Sequence, residues 1–459
     1  MKFIQYYLDC LSHASYLIAD ETTGRAVVVD PQRDVSEYLA DAKEFGLTIE
    51  LVIETHFHAD FLSGHLELAE ATGAKIVYSS VAETEFESMG VADGERYSLG
   101  EVTLEFRHTP GHTPESVSIV IYEHPGDAVP YGVLTGDALF IGDVGRPDLL
   151  ASIGFTREEL ADKLYDSLHN KLMTLPDATR VYPAHGAGSA CGKNLSTELW
   201  STMGEQKETN YALRAPDKAT FMELITEGQP PAPNYFVYNA VLNRQDRELL
   251  DEAEMPAALS YEQVLEAIAG GAVLVDGRGP EEFATGHLRQ AINIGLEGRY
   301  AEFAGSVLPS DVDIVLFTDP GHELAAKNRL ARIGFDRVVG FLDRPFETMF
   351  THPDDVQAGS RLTAKAFDDR ASELTELQIV DVRNPGELAA GIIPNAIAIP
   401  VGQLPDRLSE LNATKPTVVY CAGGYRSSVA ASLLRQRGFA DVSDIVGGFG
   451  AWEDMHQHA

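Results

Sequence analysis

The sequence has few cysteines, half as many basic as acidic residues, and no long apolar run. Its only cysteines are Cys10, Cys191 and Cys421, which are too few for a disulfide framework and predict a reducing compartment. Lysine and arginine total 35 against 70 acidic residues, and a net charge of -35 would repel nucleic acid and anionic lipid. The N-terminus also lacks the apolar stretch of a secretory signal. We therefore expect a cytoplasmic protein that binds neither nucleic acid nor membrane.

The 459 residues exceed what one hydrophobic core usually organises, so two or three domains are expected. In the first half, apolar runs typical of strands alternate with segments of helical periodicity. The predicted strands are 26–29, 51–54, 75–78, 102–106, 116–122 and 131–134. The predicted helices are 34–45, which stops at Gly46, and 156–175, which Thr156 caps. This alternation indicates an α/β fold.

The second half of the chain repeats itself. Residues 272–282 (AVLVDGRGPEE) match residues 377–387 (LQIVDVRNPGE), and the following strands and helices repeat as well. Before the repeat, the sequence QPPAP at 229–233 cannot continue a helix or a central strand. We predict a first domain over 1–204, a linker or helical extension over 205–259, and two parallel α/β modules over 260–355 and 360–459.

Metal-ligand side chains follow several predicted strands of the first domain. They occur in THFHAD at 55–60, TPGH at 109–112, LTGD at 134–137 and YPAHG at 182–186. A lone histidine is usually a hydrogen-bonded structural residue, but such groups at successive strand ends converge on one crevice. The set is His56, His58, Asp60, His112, Asp137 and His185. The pattern predicts a metal site.

These motifs resemble the metallo-β-lactamase superfamily over about residues 1–200. The resemblance implies two packed β-sheets flanked by helices. The superfamily pattern is H-x-H-x-D-H, and here Phe61 replaces its final histidine. That histidine and Asp60 normally belong to a second metal position, so the replacement weakens a dinuclear site.

Within the superfamily, the chain is most similar to persulfide dioxygenases. This resemblance implies one Fe(II) ion (Fe2+) per chain, held by His56, His112 and Asp137, with open positions for oxygen and a substrate sulfur. His58, Asp60 and His185 would then orient the ligands, or else hold a second metal. The implied partners are O2 and a persulfide of glutathione, coenzyme A or another thiol, and a homo-oligomer is implied. The alternative is a glyoxalase II-like thioester hydrolase with two metals.

Two further residues near this site are candidates for substrate contact. Arg146 lies in GDVGRP at 142–147, matching an arginine-bearing loop of the family that would hold an anionic part of the thiol carrier. Its structural alternative is a salt bridge. Cys191 follows His185 in a small-residue loop, and the resemblance implies a sulfur-contacting role, with a buried inert thiol as the alternative. Cys10 is assigned to packing within an N-terminal strand.

Cys421 lies between an apolar strand and a helix predicted to start near Ser427. A loop of backbone N–H groups, the helix N-terminus and an arginine stabilise a thiolate or persulfide. The C-x-x-G-x-R-S pattern resembles a catalytic rhodanese domain over 367–453, and its ring is one residue shorter than the related phosphatase loop. The predicted persulfide loop comprises Ala422, Gly423, Gly424, Tyr425, Arg426 and Ser427.

The middle module lacks this cysteine. An ungapped match places Phe317 opposite Cys421 and adds acidic residues to the loop, so we predict a role in assembly, docking or carrier positioning. Together, the resemblances imply oxidation of a persulfide's terminal sulfur to sulfite, and sulfane sulfur transfer through Cys421 to or from sulfite and thiosulfate. The direction of that transfer stays open. A scaffold whose modules bind partners is the third interpretation.

Overall fold

In a computed structural model, the chain forms two compact units, Met1–Leu250 and Asp251–Ala459. The structure describes residues 1–149, 154–229 and 232–457. Pro230 and Pro231 of the proline-rich stretch therefore lie outside the described residues. Within the described ranges, no helix has the length and apolar character needed to span a bilayer.

Two six-stranded sheets form the centre of the first unit. The first contains, in spatial order, β1 (Lys2–Leu8), β2 (His13–Asp20), β3 (Arg25–Val29), β4 (Thr48–Ile53), β5 (Lys75–Ser79) and β6 (Met89–Val91). The second contains, in spatial order, β7 (Arg96–Ser98), β8 (Thr103–His108), β9 (Val117–Tyr122), β10 (Gly132–Gly136), β11 (Arg180–Pro183) and β12 (Ser201–Thr202). Apolar side chains of both sheets meet in one core, with Ile53, Leu104 and Leu134 among them.

Helices cover both outer faces of this sandwich. They are α1 (Ser36–Phe45), α2 (His65–Thr72), α3 (Arg157–Ser167), α4 (Met203–Thr209), α5 (Lys218–Thr226) and α6 (Tyr235–Leu242), and a π-helical turn over Leu168–Leu172 extends α3. Helices α1 and α2 share a core with the first sheet, and α3 to α5 share one with the second. The predicted arrangement of two sheets flanked by helices is confirmed.

Local sequence signals account for the predicted helix ends. The Thr156 hydroxyl accepts from the Glu159 backbone N–H at the start of α3, and α1 ends at Gly46 with a left-handed φ of 66°. One expectation is wrong: β1 ends at Leu8, so Cys10 lies in the following turn rather than in a strand.

The second unit contains two five-stranded parallel sheets with the same strand order. The middle module has β13 (Ala258–Leu259), β14 (Val273–Asp276), β16 (Ile292–Asn293), β17 (Ile314–Phe317) and β18 (Val338–Leu342), in the order β13-β18-β17-β14-β16. The last module has β20 (Ser360–Leu362), β21 (Gln378–Asp381), β22 (Ile397–Ala398), β23 (Thr417–Tyr420) and β24 (Val442–Ile445), in the order β20-β24-β23-β21-β22. Strands β15 (His287–Leu288) and β19 (Val356–Gln357) form a separate antiparallel pair. The repeated sequence therefore folds as a repeated sheet.

The helices of the second unit connect these strands. In the middle module they are α7 (Tyr261–Ala269), α8 (Pro280–Thr285), α9 (Tyr300–Val307), α10 (Glu323–Ala331) and α11 (Pro345–Thr351). In the last module they are α12 (Ala364–Glu373), α13 (Leu404–Arg407), α14 (Tyr425–Gln436) and α15 (Gly448–Gln457). Short 3-10 turns cover Pro353–Asp355, Pro385–Ala390, Val401–Gln403 and Leu408–Glu410.

Candidate functional site

Three predicted ligands of the first unit converge in a buried cluster. His56 follows β4, His112 follows β8 and Asp137 follows β10, and each side chain is about 1% exposed or less. Nε2 of His56 lies 3.8 Å, and Nε2 of His112 lies 3.4 Å, from Oδ2 of Asp137. Two ligands that each lie about 2 Å from one ion are separated by roughly 3–4 Å. The three side chains therefore have the spacing of a metal site.

The other nitrogen of each histidine is held by the protein. The Thr55 hydroxyl donates to Oδ2 of Asp30 over 2.9 Å, so Thr55 Oγ1 accepts from Nδ1 of His56, also over 2.9 Å. Nδ1 of His112 donates to the backbone carbonyl of Arg146 over 2.9 Å. Such contacts fix the tautomer that leaves Nε2 available to a metal.

Several atoms at this cluster are buried without a hydrogen-bond partner among the described residues. They include Nε2 of His56, Nε2 of His185 and both carboxylate oxygens of Asp137. Buried polar atoms are rarely left in this condition, because losing water without gaining a partner is unfavourable. A cation held by His56, His112 and Asp137 would satisfy the orphaned atoms of His56 and Asp137, so these residues fit a metal ion.

His58 is bound by two carboxylates that the sequence patterns did not single out. Its Nε2 lies 3.1 Å from Oδ1 of Asp30 and 3.5 Å from Oε2 of Glu54. Burial alone lowers the pKa of His58, but Asp30 and Glu54 outweigh it and hold the pKa well above its ordinary value. Each acid directly follows an apolar strand, β3 or β4, and that position is the signal that could have identified them.

Asp60 and His185 form the remaining part of the predicted set. Nε2 of His185 lies 3.2 Å from Oδ2 of Asp60 and 3.5 Å from Oδ1 of Asp137, while its Nδ1 donates to the Ser12 carbonyl. His58, Asp60 and His185 have ligand atoms close enough for a second ion. However, the ring of Phe61 is buried between His13 and His58, at centroid distances of 4.0 and 4.3 Å. An apolar ring therefore stands where the superfamily pattern has a metal-binding histidine.

Arg146 is buried and paired inside the protein. Its guanidinium donates twice to the Asp148 carboxylate, over 2.7 Å each, and once to the Ala190 carbonyl. Burial alone raises the pKa of Asp148, but the pair with Arg146 holds it below its ordinary value. This geometry matches the salt-bridge alternative for Arg146.

Cys191 lies beside the metal ligands, because its Sγ is within 4.8 Å of ligand atoms of Asp137 and His185. Burial raises the pKa of the Cys191 thiol, and the Asp60 and Asp137 carboxylates raise it further. The thiol is thus placed at the metal cluster, in surroundings that favour its protonated form when no cation offsets the two carboxylates.

Cys421 directly follows β23 and is almost fully buried. The Gly424 backbone N–H donates to its Sγ over 3.0 Å, and a left-handed φ of 103° at Gly424 turns the chain into α14. The helix begins at Tyr425, two residues earlier than predicted, so its N-terminus faces the sulfur. Ala422 and Gly423 are exposed at the mouth of the loop.

The remaining loop residues have separate partners. The Arg426 guanidinium donates to both oxygens of Glu387, over 2.5 and 2.6 Å, so its charge is shared with that carboxylate. The Tyr425 hydroxyl donates to the Gly295 carbonyl of the middle module over 2.6 Å. Oγ of Ser427 lies 3.7 Å from Sγ of Cys421. The Cys-less module is therefore in direct contact with the loop that carries the cysteine.

The strand register in the two sheets shows that the sequence alignment of the two modules must be shifted by one residue. Asp276 and Asp381 begin the same D-x-R motif, and they pair with Phe317 and Tyr420, respectively. Phe317 therefore corresponds to Tyr420, and Thr318 to Cys421. The left-handed Gly321 and Gly424 then occupy the same loop position, with φ of 95° and 103°. The ungapped match was wrong because apolar strands do not fix their own register.

Comparison with known proteins agrees with this architecture. The family model of the metallo-beta-lactamase superfamily matches residues 8–185, and that of the rhodanese-like domain matches 260–348 and 363–455. A crystal structure of a metallo-beta-lactamase from Staphylococcus aureus is 34% identical, with a TM-score of 0.67. It covers 74% of this chain and 98% of its own. The chain belongs to the metallo-β-lactamase superfamily and carries two rhodanese-like domains.

Two curated relatives are each similar to a part of this superfamily member. The mitochondrial persulfide dioxygenase of Bos taurus is 34% identical over 173 residues, which are 37% of this chain and 63% of the relative. A sulfurtransferase of Allochromatium vinosum is 33% identical over 93 residues, which are 20% of this chain and 87% of the relative. The resemblance to a persulfide dioxygenase fused to rhodanese-like domains is thus confirmed, and the chain spans 63% of the length of that dioxygenase.

Proposed function

We propose that this chain oxidises the terminal sulfur of a low-molecular-weight persulfide to sulfite at one Fe(II) ion, and transfers sulfane sulfur through Cys421. The observation that carries the proposal is the buried cluster of His56, His112 and Asp137, whose ligand atoms face one another. Two histidines and one carboxylate are the ligand set of oxygen-activating iron sites.

A single ion is favoured over a dinuclear site for two reasons. Nε2 of His58 is turned toward Asp30 and Glu54, which compete with a metal for that nitrogen. Phe61 supplies no donor where the superfamily pattern has a histidine. Both features disfavour the glyoxalase II-like hydrolase, in which a second metal helps to activate water.

The overall oxidation converts one persulfide, one O2 and one water into one thiol, one sulfite and two protons. When bound, Fe(II) in such a set offers open positions at which oxygen and a persulfide sulfur react. The Thr55 hydroxyl and the Arg146 carbonyl hold the two histidines in the ligand tautomer. Cys191, adjacent to Asp137, is proposed to contact the substrate sulfur, whereas the pairing of Arg146 with Asp148 favours a structural role.

At Cys421, the thiolate attacks the outer sulfur of a second persulfide, the S–S bond breaks, and the carrier leaves as a thiolate. Sulfite then attacks the outer sulfur of the cysteine persulfide, which gives thiosulfate and restores the Cys421 thiolate. The Gly424 N–H and the α14 N-terminus stabilise negative charge on the sulfur in both steps. The reverse direction, from thiosulfate to a thiol, uses the same groups.

The test is oxygen uptake by anaerobically purified, Fe(II)-loaded protein given glutathione persulfide or coenzyme A persulfide. Sulfite and thiosulfate are quantified in the wild type and in Cys421→Ser, and metal content is measured on the same samples. We expect oxygen uptake with about one iron per chain, thiosulfate from the wild type, and sulfite from the variant.

A second arm addresses the number of metals. Phe61→His restores the full superfamily pattern, and we expect this variant to bind more than one ion per chain while the wild type binds one. Two ions in the wild type, no oxygen uptake with either persulfide, and hydrolysis of an acyl-glutathione thioester would replace the proposal with the hydrolase alternative.

A further inference from the structure

A row of four side chains runs from Cys421 into the sheet of the last module. Sγ of Cys421 donates to Oγ of Ser427 over 3.7 Å, and Oγ of Ser427 donates to Oδ2 of Asp444 over 3.1 Å. Arg361 on β20 donates to the Asp444 carboxylate through Nε and Nη2, over 3.0–3.2 Å. Nη2 of Arg361 also donates to the Gly424 carbonyl, in the residue whose N–H contacts the sulfur.

The inner members of this row are shielded from water. Ser427 and Asp444 are 0% and 2% exposed, and Cys421 is 1% exposed. A thiol reacts as its thiolate, so its proton needs an acceptor within the protein. A hydroxyl can accept one proton while it donates another, and the serine lies between the thiol and the carboxylate. Burial raises the pKa of Asp444, and this effect exceeds the opposing effect of Arg361.

The middle module shows what the fold retains without these groups. Leu316 pairs with Phe341 as Val419 pairs with Asp444, and Phe341 pairs with Ala258 as Asp444 pairs with Arg361. With the corrected register, the counterparts of Cys421, Ser427, Asp444 and Arg361 are Thr318, Leu324, Phe341 and Ala258. Three of these counterparts are apolar and the fourth, Thr318, has a hydroxyl in place of the thiol, in a module that keeps the same strand order. The row is therefore linked to the cysteine rather than to the fold.

We propose that Asp444, acting through Ser427, accepts the thiol proton of Cys421, and that Arg361 positions the Asp444 carboxylate for this step. The thiol proton moves to Oγ of Ser427 while the serine proton moves to Asp444, leaving a thiolate and a neutral carboxyl group. Ser427 then donates to the charged sulfur. After Cys421 has taken the outer sulfur of a persulfide anion, the departing carrier thiolate takes up the proton from Asp444. This inference rests on the proposed sulfur-transfer function.

Other charged groups near the row come from neighbouring elements. Arg435, on α14, also faces Asp444, and Arg426 faces Cys421 while it is paired with Glu387. On β21, Asp381 is paired with Arg383. The arginines stay charged at any pH near neutrality, and both paired carboxylates remain in the variants described below. Changes in pH dependence on altering Ser427 or Asp444 therefore report on the row itself.

The experiment measures alkylation of Cys421 by iodoacetamide as a function of pH, quantified by mass spectrometry of the Cys421 peptide in the full-length protein. Steady-state transfer of sulfur from thiosulfate to cyanide is measured alongside. The variants are Asp444→Asn and Ser427→Ala, with Ser427→Thr to restore the hydroxyl. The matched control is Asp441→Asn, which removes the carboxylate of the exposed Arg370–Asp441 pair in the same module.

For Asp444→Asn and Ser427→Ala, we expect alkylation at pH 7 to slow roughly tenfold or more, and its half-maximal pH to rise. The kcat for transfer should fall by a similar factor with KM for thiosulfate unchanged. Asp441→Asn should keep the wild-type profile, and Ser427→Thr, which restores the hydroxyl, should recover most of the alkylation rate lost in Ser427→Ala. A wild-type alkylation profile in both Asp444→Asn and Ser427→Ala would overturn the inference. Alkylation needs no sulfur donor, so it decides this point even if the proposed sulfur transfer fails.

Discussion

Each of the two rhodanese-like modules contains an equivalent buried ion pair, although only the last module has a cysteine. Arg278 donates to Asp276 over 2.5 Å in the middle module, and Arg383 donates to Asp381 over 2.6 Å in the last. Each guanidinium also donates to a glycine carbonyl eight residues further along the chain. Because the pair persists where there is no nucleophile, it belongs to the scaffold rather than to the chemistry. Motif similarity alone therefore does not identify the reactive groups.

The modules differ in charge around their loops. Arg426 and Glu387 form an ion pair in the last module, whereas their counterparts in the middle module, Glu323 and Glu282, are both acidic. Both of these acids accept backbone N–H groups locally, Glu323 from Gly321 and Glu282 from Gly279. The middle loop thus carries negative charge where an anionic sulfur would bind. A different segment of the middle module, at the Gly295 carbonyl, contacts Tyr425 and supports the neighbouring loop.

The largest effect is expected from removing Cys421, which follows β23, and placing a cysteine at Thr318, which follows β17. Cys421→Ser should abolish sulfur transfer from thiosulfate to cyanide, a loss on the order of 1000-fold or more. Adding Thr318→Cys to this variant should not restore transfer, because Leu324, Phe341 and Ala258 supply no proton acceptor or positioning charge. Measurable turnover by the double variant would show that the scaffold alone is sufficient.

A loss of stability should follow when either scaffold ion pair is broken. Arg278→Ala and Arg383→Ala each leave a fully buried aspartate without its cation, which costs about 3–5 kcal/mol in the free energy of unfolding. Urea unfolding monitored by hydrogen exchange in each module measures the loss. Arg344→Ala, which removes the cation of an exposed pair with Glu347, should leave stability nearly unchanged, because exposed ion pairs contribute little. Unequal losses in the two modules would contradict a shared structural role.

A smaller effect is expected at the contact between the modules. A Cβ added at Gly298 would lie 2.5 Å from the Tyr425 ring, and overpacking of this kind costs about 1–3 kcal/mol. Gly298→Ala should therefore slow transfer through Cys421 about tenfold without changing oxygen uptake. Gly386→Ala is the control, because its added Cβ meets open space. An unchanged transfer rate in Gly298→Ala would mean that the middle module does not position the loop.

The smallest effect concerns pH. Burial alone raises the pKa of Glu387, but the interaction with Arg426 lowers it by a larger amount. The pKa of this carboxylate in the folded state is therefore below its ordinary value. The stabilising contribution is complete above the pKa of an unfolded glutamate and is lost as pH falls through the folded value. The pair is partly exposed, so we expect a change of less than about 1 kcal/mol. After correction for the intrinsic exchange rate, acid should decrease the hydrogen-exchange protection of residues 422–427 but not that of the corresponding loop in the middle module. Glu387→Gln should remove this pH dependence.

Sequence patterns predicted those parts of the site that lie in short segments after strands. His56, His112, Asp137 and Cys421 were each predicted as candidates in this way, since a strand end and its polar residues are adjacent in the chain. The patterns could not show which group His58 contacts, because its partner Asp30 follows a different strand. The sequence also did not reveal the register between parallel strands. The ungapped match therefore paired Phe317 with Cys421, one residue away from its true counterpart.

Contacts over long sequence distances were also beyond the reach of pattern analysis. Asn243, within the predicted extension, donates to the backbone carbonyls of His58 and Phe61 over 2.8 and 2.9 Å. Its Oδ1 accepts from the Ser63 N–H. No local periodicity identifies an asparagine that buttresses a loop about 180 residues earlier, because such contacts depend on the packing of the whole unit.

The histidines of the metal cluster are held by Thr55, the Arg146 carbonyl and the Ser12 carbonyl, which come from three separate segments. A zinc finger, by contrast, uses its ion to gather ligands that are otherwise disordered. Here the polypeptide gathers them itself, so folding and metal loading are separable events. A chelator should remove the metal ion without unfolding the chain, and the metal-free protein should keep its ligands in place for a new ion.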